Sequence, residues 1–385
     1  MSEVHSSMGH GLAMEETVNG AGAALESRAV RVLVAASGSG GHLIPAVHIA
    51  RAIQERTPHA VIEFIGSGRP LEEKLIDAQG FKRHVVAAAG IKRRRLLGIA
   101  EFIARFPKAV SQLRRIYRSF APDVVVGVGG YVSVLPVIVA RVSGIPTWIH
   151  EAELHPGLAN RTLAHFADWM SLAFAETEIR GRAQREHTGH PVRSELAQVD
   201  RDTVRDDAPR RMLVLGGSQG ARGIDEALGA CTEVLAARKV EVVHQCREEN
   251  MEKVLNAYKA ASIPAHVVSF IDDMTGAYEW ADVVVSRAGA GSVAEIACVN
   301  RPAIFIPYPF QQGTHQTDNA MTLVSKGKAL LVEERDPAFS VRLREAVDRI
   351  LAPDYFRTLK SAPYEARGLN AARDIAKGIL SIVKR

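Results

Sequence analysis

Cysteine is scarce in this sequence. Its three residues, Cys231, Cys246 and Cys298, lie far apart. They lack the close pairs that structural zinc needs and imply buried thiols in a reducing compartment. Aromatic residues make up 6%, and none interleaves with the one dense run of cations, which argues against a stacking platform for nucleic acid. No uninterrupted apolar run is long enough to span a membrane. The nearest, at 124–140, is broken by Gly127, Gly129, Gly130 and Pro136 and is expected to be a buried strand, a glycine loop and a buried helix. No basic stretch followed by an apolar core opens the chain. Residues 1–28, rich in Gly, Ala, Ser and Glu, are expected to be a disordered extension and not a secretory signal.

What is present is an alternation. The 385 residues, 47% hydrophobic and 24% charged with a formal net charge of +5, have the size of two domains and the balance of a soluble globular protein. In the first half, residues 30–35, 61–65, 123–128 and 146–150 read as strands, with helices at 43–56 and 71–78. In the second half, 212–215, 240–244, 266–271, 283–285 and 303–306 read as strands. Such alternation predicts an α/β fold of parallel sheets with helices on both faces. Residues 188–193 read as the connection between the halves, and 340–385 as helical.

Glycine punctuates the strand ends. Ser37-Gly38-Ser39-Gly40-Gly41-His42, Gly129-Gly130-Tyr131, Gly216-Gly217-Ser218-Gln219-Gly220 and Arg287-Ala288-Gly289-Ala290-Gly291 each follow a predicted strand. A glycine turn between strand and helix aims backbone N–H groups and a helix dipole at an anion. A phosphate-bearing donor is therefore expected at 281–319. There Glu295, one turn into a helix starting near Ser292, can accept both hydroxyls of a ribose. Equally, Ser292 and Glu295 form an S-x-x-E capping box that needs no ligand. His42 is either a general base for a hydroxyl nucleophile or a helix-start histidine bonded to backbone. Phe270-Ile271-Asp272-Asp273-Met274 ends a strand where a nucleobase can meet an aromatic ring or a backbone amide, or is a plain strand end with an acidic N-cap. Lys92, Arg93, Arg94 and Arg95 precede Leu96, Leu97, Ile99, Phe102, Ile103 and Phe106. That pattern suits an interfacial helix on an anionic membrane, or a surface helix with its apolar side on the core.

Eight motifs in one order go further: SGSGGHLIPA, GVGGYVS, IHEAELHPGLANR, TGHPVR, GGSQGA, FIDDM, SRAGAGSVAEIA and HQTDNA. Together they resemble the MurG family of UDP-N-acetylglucosamine:undecaprenyl-pyrophosphoryl-muramoyl-pentapeptide transferases, from Arg31 to the C-terminus. The resemblance implies the GT-B arrangement, two Rossmann-like domains facing across a cleft, here 29–192 and 193–366, with a C-terminal helix near 367–385 packing back on the first. It implies inverting transfer of N-acetylglucosamine from UDP-GlcNAc to the 4-hydroxyl of lipid-linked N-acetylmuramoyl-pentapeptide in peptidoglycan synthesis, with no metal and no cofactor. The implied location is the cytoplasmic face of the bacterial inner membrane, as a peripheral protein with other cell-wall enzymes as partners and no nucleic acid.

Carried over residue by residue, Ile271 offers backbone contacts to uracil with Phe270 beside the ring, and Glu295 takes the ribose hydroxyls. Ser218 and Ala290, Gly291, Ser292, Val293 and Ala294 hold the diphosphate, with Arg193 near. Gln316, with His315 and Asn319, meets the sugar hydroxyls. Ser39, Gly40 and Gly41 contact UDP-GlcNAc from the N-terminal side, and the loop they form, with Gly129, Gly130 and Tyr131, receives the acceptor diphosphate. His42 is the first candidate for the base. The patch from Lys92 to Phe106 matches where the family meets the membrane.

The chain also departs from the family. H-E-Q-N stands here as His150-Glu151-Ala152-Glu153, T-G-N-P as Thr188-Gly189-His190-Pro191, and the first-loop threonine as Ser39. Glu153 thus replaces an asparagine that touches the donor sugar. A carboxylate there accepts hydrogen bonds, cannot donate them and repels a diphosphate, and it is a second candidate for the base, alone or with His42. Three other activities fit the same motifs: a GT-B transferase with another lipid or small-molecule acceptor, an enzyme like UDP-GlcNAc 2-epimerase, and a nucleotide-binding scaffold without turnover.

Overall fold

The computed structural model describes residues 28–383 apart from 39, 87–95, 202–207, 218–219 and 311–314, with the side chains of 96–105 also left aside. The first half supplies strands β1 Arg31–Ala35, β2 Val61–Gly66, β3 Lys82–Val85, β4 Val124–Gly127, β5 Thr147–Glu151, β6 Trp169–Leu172 and β7 Gln184–His187. Its helices are α1 Gly40–Arg56, α2 Pro70–Leu75, α3 Leu96–Phe120, α4 Tyr131–Val142 and α5 Leu158–Leu163. The second half supplies β8 Arg211–Leu215, β9 Glu241–Gln245, β10 Ala265–Val268, β11 Val283–Ser286, β12 Ala303–Phe305 and β13 Ala329–Leu331. Its helices are α6 Arg222–Ala227, α7 Thr232–Ala237, α8 Glu248–Ala260, α9 Met274–Trp280, α10 Ala290–Val299, α11 His315–Val324, α12 Phe339–Ile350, α13 Pro353–Ser361 and α14 Gly368–Val383.

The strands form two sheets, ordered β3-β2-β1-β4-β5-β6-β7 and β10-β9-β8-β11-β12-β13. Every pairing is parallel, for example Val34 opposite Phe64 on one side and Val126 on the other. A parallel sheet is covered on both faces, so its central strands are apolar throughout rather than alternating. Val32, Leu33, Val34, Val124, Val125, Val126, Val283, Val284 and Val285 are accordingly all fully buried. In each sheet the order reverses once, between β1 and β4 and between β8 and β11. The crevice at the carboxyl ends of such strands is where open α/β sheets take ligands. The four glycine segments singled out in the sequence leave these four strands.

Helix α14 returns to the first sheet. Its Ile375, Ala376, Ile379 and Ile382 share one core with Leu43, Ile49 and Ile53 of α1 and with Trp148 of β5. Each fully buried isoleucine contributes about 1.5–3 kcal/mol. Gly378 lets the Trp148 ring lie against the helix, because any Cβ at that position would overlap the ring. The three cysteines are buried and free. Among the described residues, no helix is long and apolar enough to cross a membrane.

Several elements differ from the spacing-based expectation. Strands β3 and β7 carry Lys82-Arg83-His84 and Gln184-Arg185-Glu186 on sheet edges, where a half-exposed polar sequence gives no periodic signal. The strand expected at 266–271 ends at Val268. The helix expected at 71–78 stops at Leu75 and continues as a 3₁₀ turn, Asp77–Gln79. His315, Gln316 and Asn319, for which spacing gives no helix, form the first turns of α11.

Candidate active site

Helix α1 begins at Gly40, so Gly40, Gly41 and His42 belong to its first turn and not to a loop. Three glycines surround the His42 ring. A Cβ on Gly129 would lie 2.5 Å from its Cδ2 and 2.9 Å from Nε2, one on Gly130 4.0 Å from Nδ1, and one on Gly38 3.9 Å from Nδ1. Their φ angles are +83°, +75° and +107°, a region open to glycine at no steric cost. Glycine is thus required at 129 twice over, for backbone angle and for space. The sequence-predicted His42 and Gly129–Gly130 are brought together, and Tyr131, the half-exposed first residue of α4, stands next to them. His42 Nδ1 has no partner among the described residues, so the backbone bond of the alternative expectation is not made there. Burial holds this imidazole below its usual range, which keeps it neutral at pH 7, the form in which it can take a proton.

Three more histidines gather behind it. His150 Nδ1 lies 3.0 Å from Ser171 Oγ, and its ring is 5.8 Å from that of His190. His190 is pushed down to about 3, by burial first and then by His48 and His42. His48 is pushed down to about 4, chiefly by burial. His190 belongs to the connection between the sheets, and a Cβ on Gly291 would lie 3.5 Å from its Nε2. It therefore sits against the first turn of α10, the helix that follows the fourth glycine segment.

The N-cap of α10 is Gly289 and no side chain caps the helix. Ser292 is its third residue, so the expected capping box does not form. The helix starts two residues early because Ala290 is buried against Phe174 and Leu154 of the first half. Glu295 is held by other means. Its Oε1 accepts from Arg193 Nε at 2.9 Å, and its Oε2 accepts from the Tyr278 hydroxyl at 3.1 Å. Arg193, expected near a diphosphate, is thereby placed beside Glu295. Tyr278 is a site residue that spacing does not reveal, since an aromatic on the buried side of α9 looks like any core residue. Ala290 and Val293 are buried, so they can offer a ligand only backbone N–H groups, while Gly291, Ser292 and Ala294 are half-buried.

Gln316 Oε1 accepts from the Tyr308 backbone N–H at 2.9 Å, which leaves its amide N–H groups to meet an acceptor. The segment before it is clamped by Arg287, whose Nη1 donates to the carbonyls of Ile306 at 3.2 Å and Pro307 at 3.1 Å and pairs with Glu334. Ile271 lies beyond β10, half-buried against the core that holds Val284, Val293 and Phe305, and Phe270 beside it is 70% exposed. Ser39 and Ser218 lie outside the described residues.

The two halves meet at Glu153. Its Oε2 accepts from Asn319 Nδ2 of α11 at 2.7 Å, and two residues on, His155 Nε2 lies 3.1 Å from Asp318 Oδ2. The loop after β5 is therefore joined to the turn that carries Gln316. The Glu153 backbone N–H donates to Glu151 Oε1 at 2.9 Å. Burial pushes Glu151 up to about 7 and raises Glu153 as well.

Lys92, Arg93, Arg94 and Arg95 lie outside the described residues. Leu96, Leu97, Ile99, Phe102 and Ile103 fall in α3 without described side chains. Phe106 is 44% exposed and begins a groove of about 850 Å³ that continues past Pro107, Val110, Arg114, Arg115 and Arg118. Among the described residues, no group of three or more His, Cys, Asp or Glu is arranged to hold a metal ion.

Residues 32–171 match the glycosyltransferase family 28 N-terminal domain, and residues 211–379 match the glycosyltransferase family 28 C-terminal domain. The chain is 34% identical, over 92% of its length and 99% of the relative's, to the UDP-N-acetylglucosamine–N-acetylmuramyl-(pentapeptide) pyrophosphoryl-undecaprenol N-acetylglucosamine transferase of Syntrophus aciditrophicus. It is 38% identical, over 80% of its length and 86% of the relative's, to the protein of the same name from Syntrophotalea carbinolica. Among solved structures, MurG of Acinetobacter baumannii superposes with a TM-score of 0.74 at 26% identity, covering 91% of this chain and 99% of that one.

Proposed function

This chain belongs to glycosyltransferase family 28, among the UDP-N-acetylglucosamine–N-acetylmuramyl-(pentapeptide) pyrophosphoryl-undecaprenol N-acetylglucosamine transferases, and from that membership and the geometry of its cleft we infer how it works. It is a glycosyltransferase of peptidoglycan synthesis that moves N-acetylglucosamine from UDP-N-acetylglucosamine to the lipid-linked N-acetylmuramyl-pentapeptide.

In our reading the donor lies along the carboxyl ends of β8 and β11. Glu295 accepts the ribose hydroxyls through lone pairs left free by Arg193 and Tyr278, since each carboxylate oxygen can accept more than one bond. Ile271 offers backbone groups to the base, and Gln316 donates to the sugar. The acceptor's diphosphate enters on the other side, at the first turn of α1 and the Gly129–Gly130 turn. Its 4-hydroxyl oxygen attacks the anomeric carbon as the bond from that carbon to the diphosphate oxygen breaks, and the electron pair leaves with UDP. The hydroxyl proton passes to His42. Charge growing on the diphosphate is met by first-turn N–H groups of α10 and by the Arg193 guanidinium, both in place before reaction. No metal is assigned a role.

The observation that carries this reading is the neutral, glycine-walled His42 at the reversal point of the first sheet. The test is lipid extraction after incubation with labelled UDP-N-acetylglucosamine and the lipid-linked acceptor. Label enters the lipid phase, and His42→Ala slows its entry by about a hundredfold or more. An unchanged rate would remove His42 from the chemistry. A second assignment gives the proton to Glu153, favoured by its burial between the halves. The cationic and apolar side of α3, with Phe106 and Arg114, supports peripheral binding at an anionic membrane surface, where the lipid-linked acceptor resides.

A further inference from the structure

One fully buried carboxylate has no part in the chemistry above: Glu72 of α2. Its Oε1 accepts from the hydroxyls of Ser37 and Ser67, each at 2.7 Å. Its Oε2 accepts from the backbone N–H groups of Ser67 and Gly68, each at 2.9 Å, and from Arg83 Nη1 at 3.3 Å. Burial acts to raise this carboxyl, but the bonds from Ser37 and Ser67 outweigh it and hold the group below its usual range. It is therefore a charge at neutral pH. A buried charge is costly unless every lone pair is met, and here Ser37, Ser67 and Gly68 donate from the loops after β1 and β2, and Arg83 from β3. The chain is shaped around it, for a Cβ on Gly66 would overlap Glu72 Oε2.

The loops it grips leave β1 and β2. Ser37 comes one residue before Gly38 and three before the start of α1, whose first turn carries His42. The Ser37 carbonyl oxygen would lie 3.1 Å from a Cβ on Gly130. The loop after β1 and the first turn of α1 therefore both touch the loop after β4, Ser37 against Gly130 and His42 against Gly129. The Ser37 hydroxyl is the link between this paired surface and the buried charge.

We propose that Glu72 is a positioning residue of the transfer reaction: through Ser37 it fixes the loop after β1 against the Gly129–Gly130 turn, and so shapes the receptacle for the acceptor's diphosphate while leaving the donor side untouched. This rests on the reading that the acceptor enters at these two loops.

The test uses the full chain in three variants, Glu72→Gln, Ser37→Ala and Gly130→Ala. Initial rates are measured with the lipid-linked acceptor varied at saturating UDP-N-acetylglucosamine, then with the roles exchanged, beside a thermal melt. Glu72→Gln and Ser37→Ala are each expected to raise the acceptor KM about tenfold and to leave the donor KM within about twofold. If both leave the acceptor KM unchanged while Gly130→Ala raises it, the acceptor site stands and the positioning role falls. If none of the three moves it, the acceptor reading itself falls, and this proposal with it. Equal rises in both KM values with a lowered melting temperature would mark Glu72 as structural only and overturn the proposal. Should Glu72→Gln fail to fold, Ser37→Ala decides, because it leaves the carboxylate its other donors.

Discussion

Arg193 and Glu295 are bound Nε to Oε1 at 2.9 Å although 102 positions separate them in the chain. One lies in the segment between the sheets, the other on the helix after β11. The contact makes the inner half of the Glu295 carboxylate rigid and leaves its outer lone pairs for a ligand. Glu295→Ala removes two acceptors of charge-assisted bonds, so UDP-N-acetylglucosamine affinity is expected to fall by about a hundredfold. Isothermal titration measures it. A dissociation constant unchanged in the variant would show that the nucleotide does not rest on this carboxylate.

Gly129 and His42 give the second prediction. Alanine at 129 must adopt φ +83° and would place its Cβ 2.5 Å from the imidazole Cδ2. The ring has to move, and the backbone is strained by roughly 1–2 kcal/mol. Gly129→Ala is expected to lower kcat by about a hundredfold with donor affinity unchanged. Single-turnover rates beside donor titration separate the two. A variant with full kcat would mean that transfer tolerates a displaced His42.

Both residues are legible in the sequence, for a physical reason. Glycine after a β-branched run marks a strand end, and strand ends in parallel sheets are where ligands bind. Helix boundaries are less legible. The S-x-x-E spacing of Ser292 and Glu295 is a sound local signal, yet Ala290 is buried against Phe174, and that contact draws the helix start back to Gly289. Tyr278 and Glu72 leave no signal, because each works through partners distant in sequence or hidden in the core. The edge strands β3 and β7 are silent because they have no apolar face to repeat.

Glu153 and Asn319 tie the halves together at 2.7 Å, and this bears on the identity of the base. Glutamine at 153 keeps an oxygen that can accept from Asn319 but cannot take a proton. If Glu153 is the base, Glu153→Gln lowers kcat by about a hundredfold with donor affinity intact. If His42 is the base, Glu153→Gln retains turnover within a few-fold and His42→Ala does not. The pair of rates assigns the proton to one residue or the other.

The buried histidines make the fold acid-sensitive. His190 is pushed down to about 3 and His48 to about 4, burial being the largest cause for each, and burial lowers His42 and His150 too. Unfolded, each would take up a proton near pH 6.5. Below that pH the unfolded state holds more protons than the folded one, so stability falls as pH drops. For His190 the slope is about 1.4 kcal/mol per pH unit. Glu151, pushed up to about 7 by burial, has the opposite sign. Its folded form keeps a proton that the unfolded chain releases above the ordinary carboxylate range, so acidification toward that range favours folding, and the raised Glu153 acts the same way. The four buried histidines, with His187 also lowered by partial burial, outweigh the two raised carboxyls, and the melting temperature is expected to drop by several degrees between pH 7 and pH 5. His190→Asn removes one of the four, and its melting temperature should change less across that interval. The comparison is of slopes, because the smaller side chain shifts stability at every pH. An equal slope in the variant would mean that His190 takes up its proton without unfolding the chain.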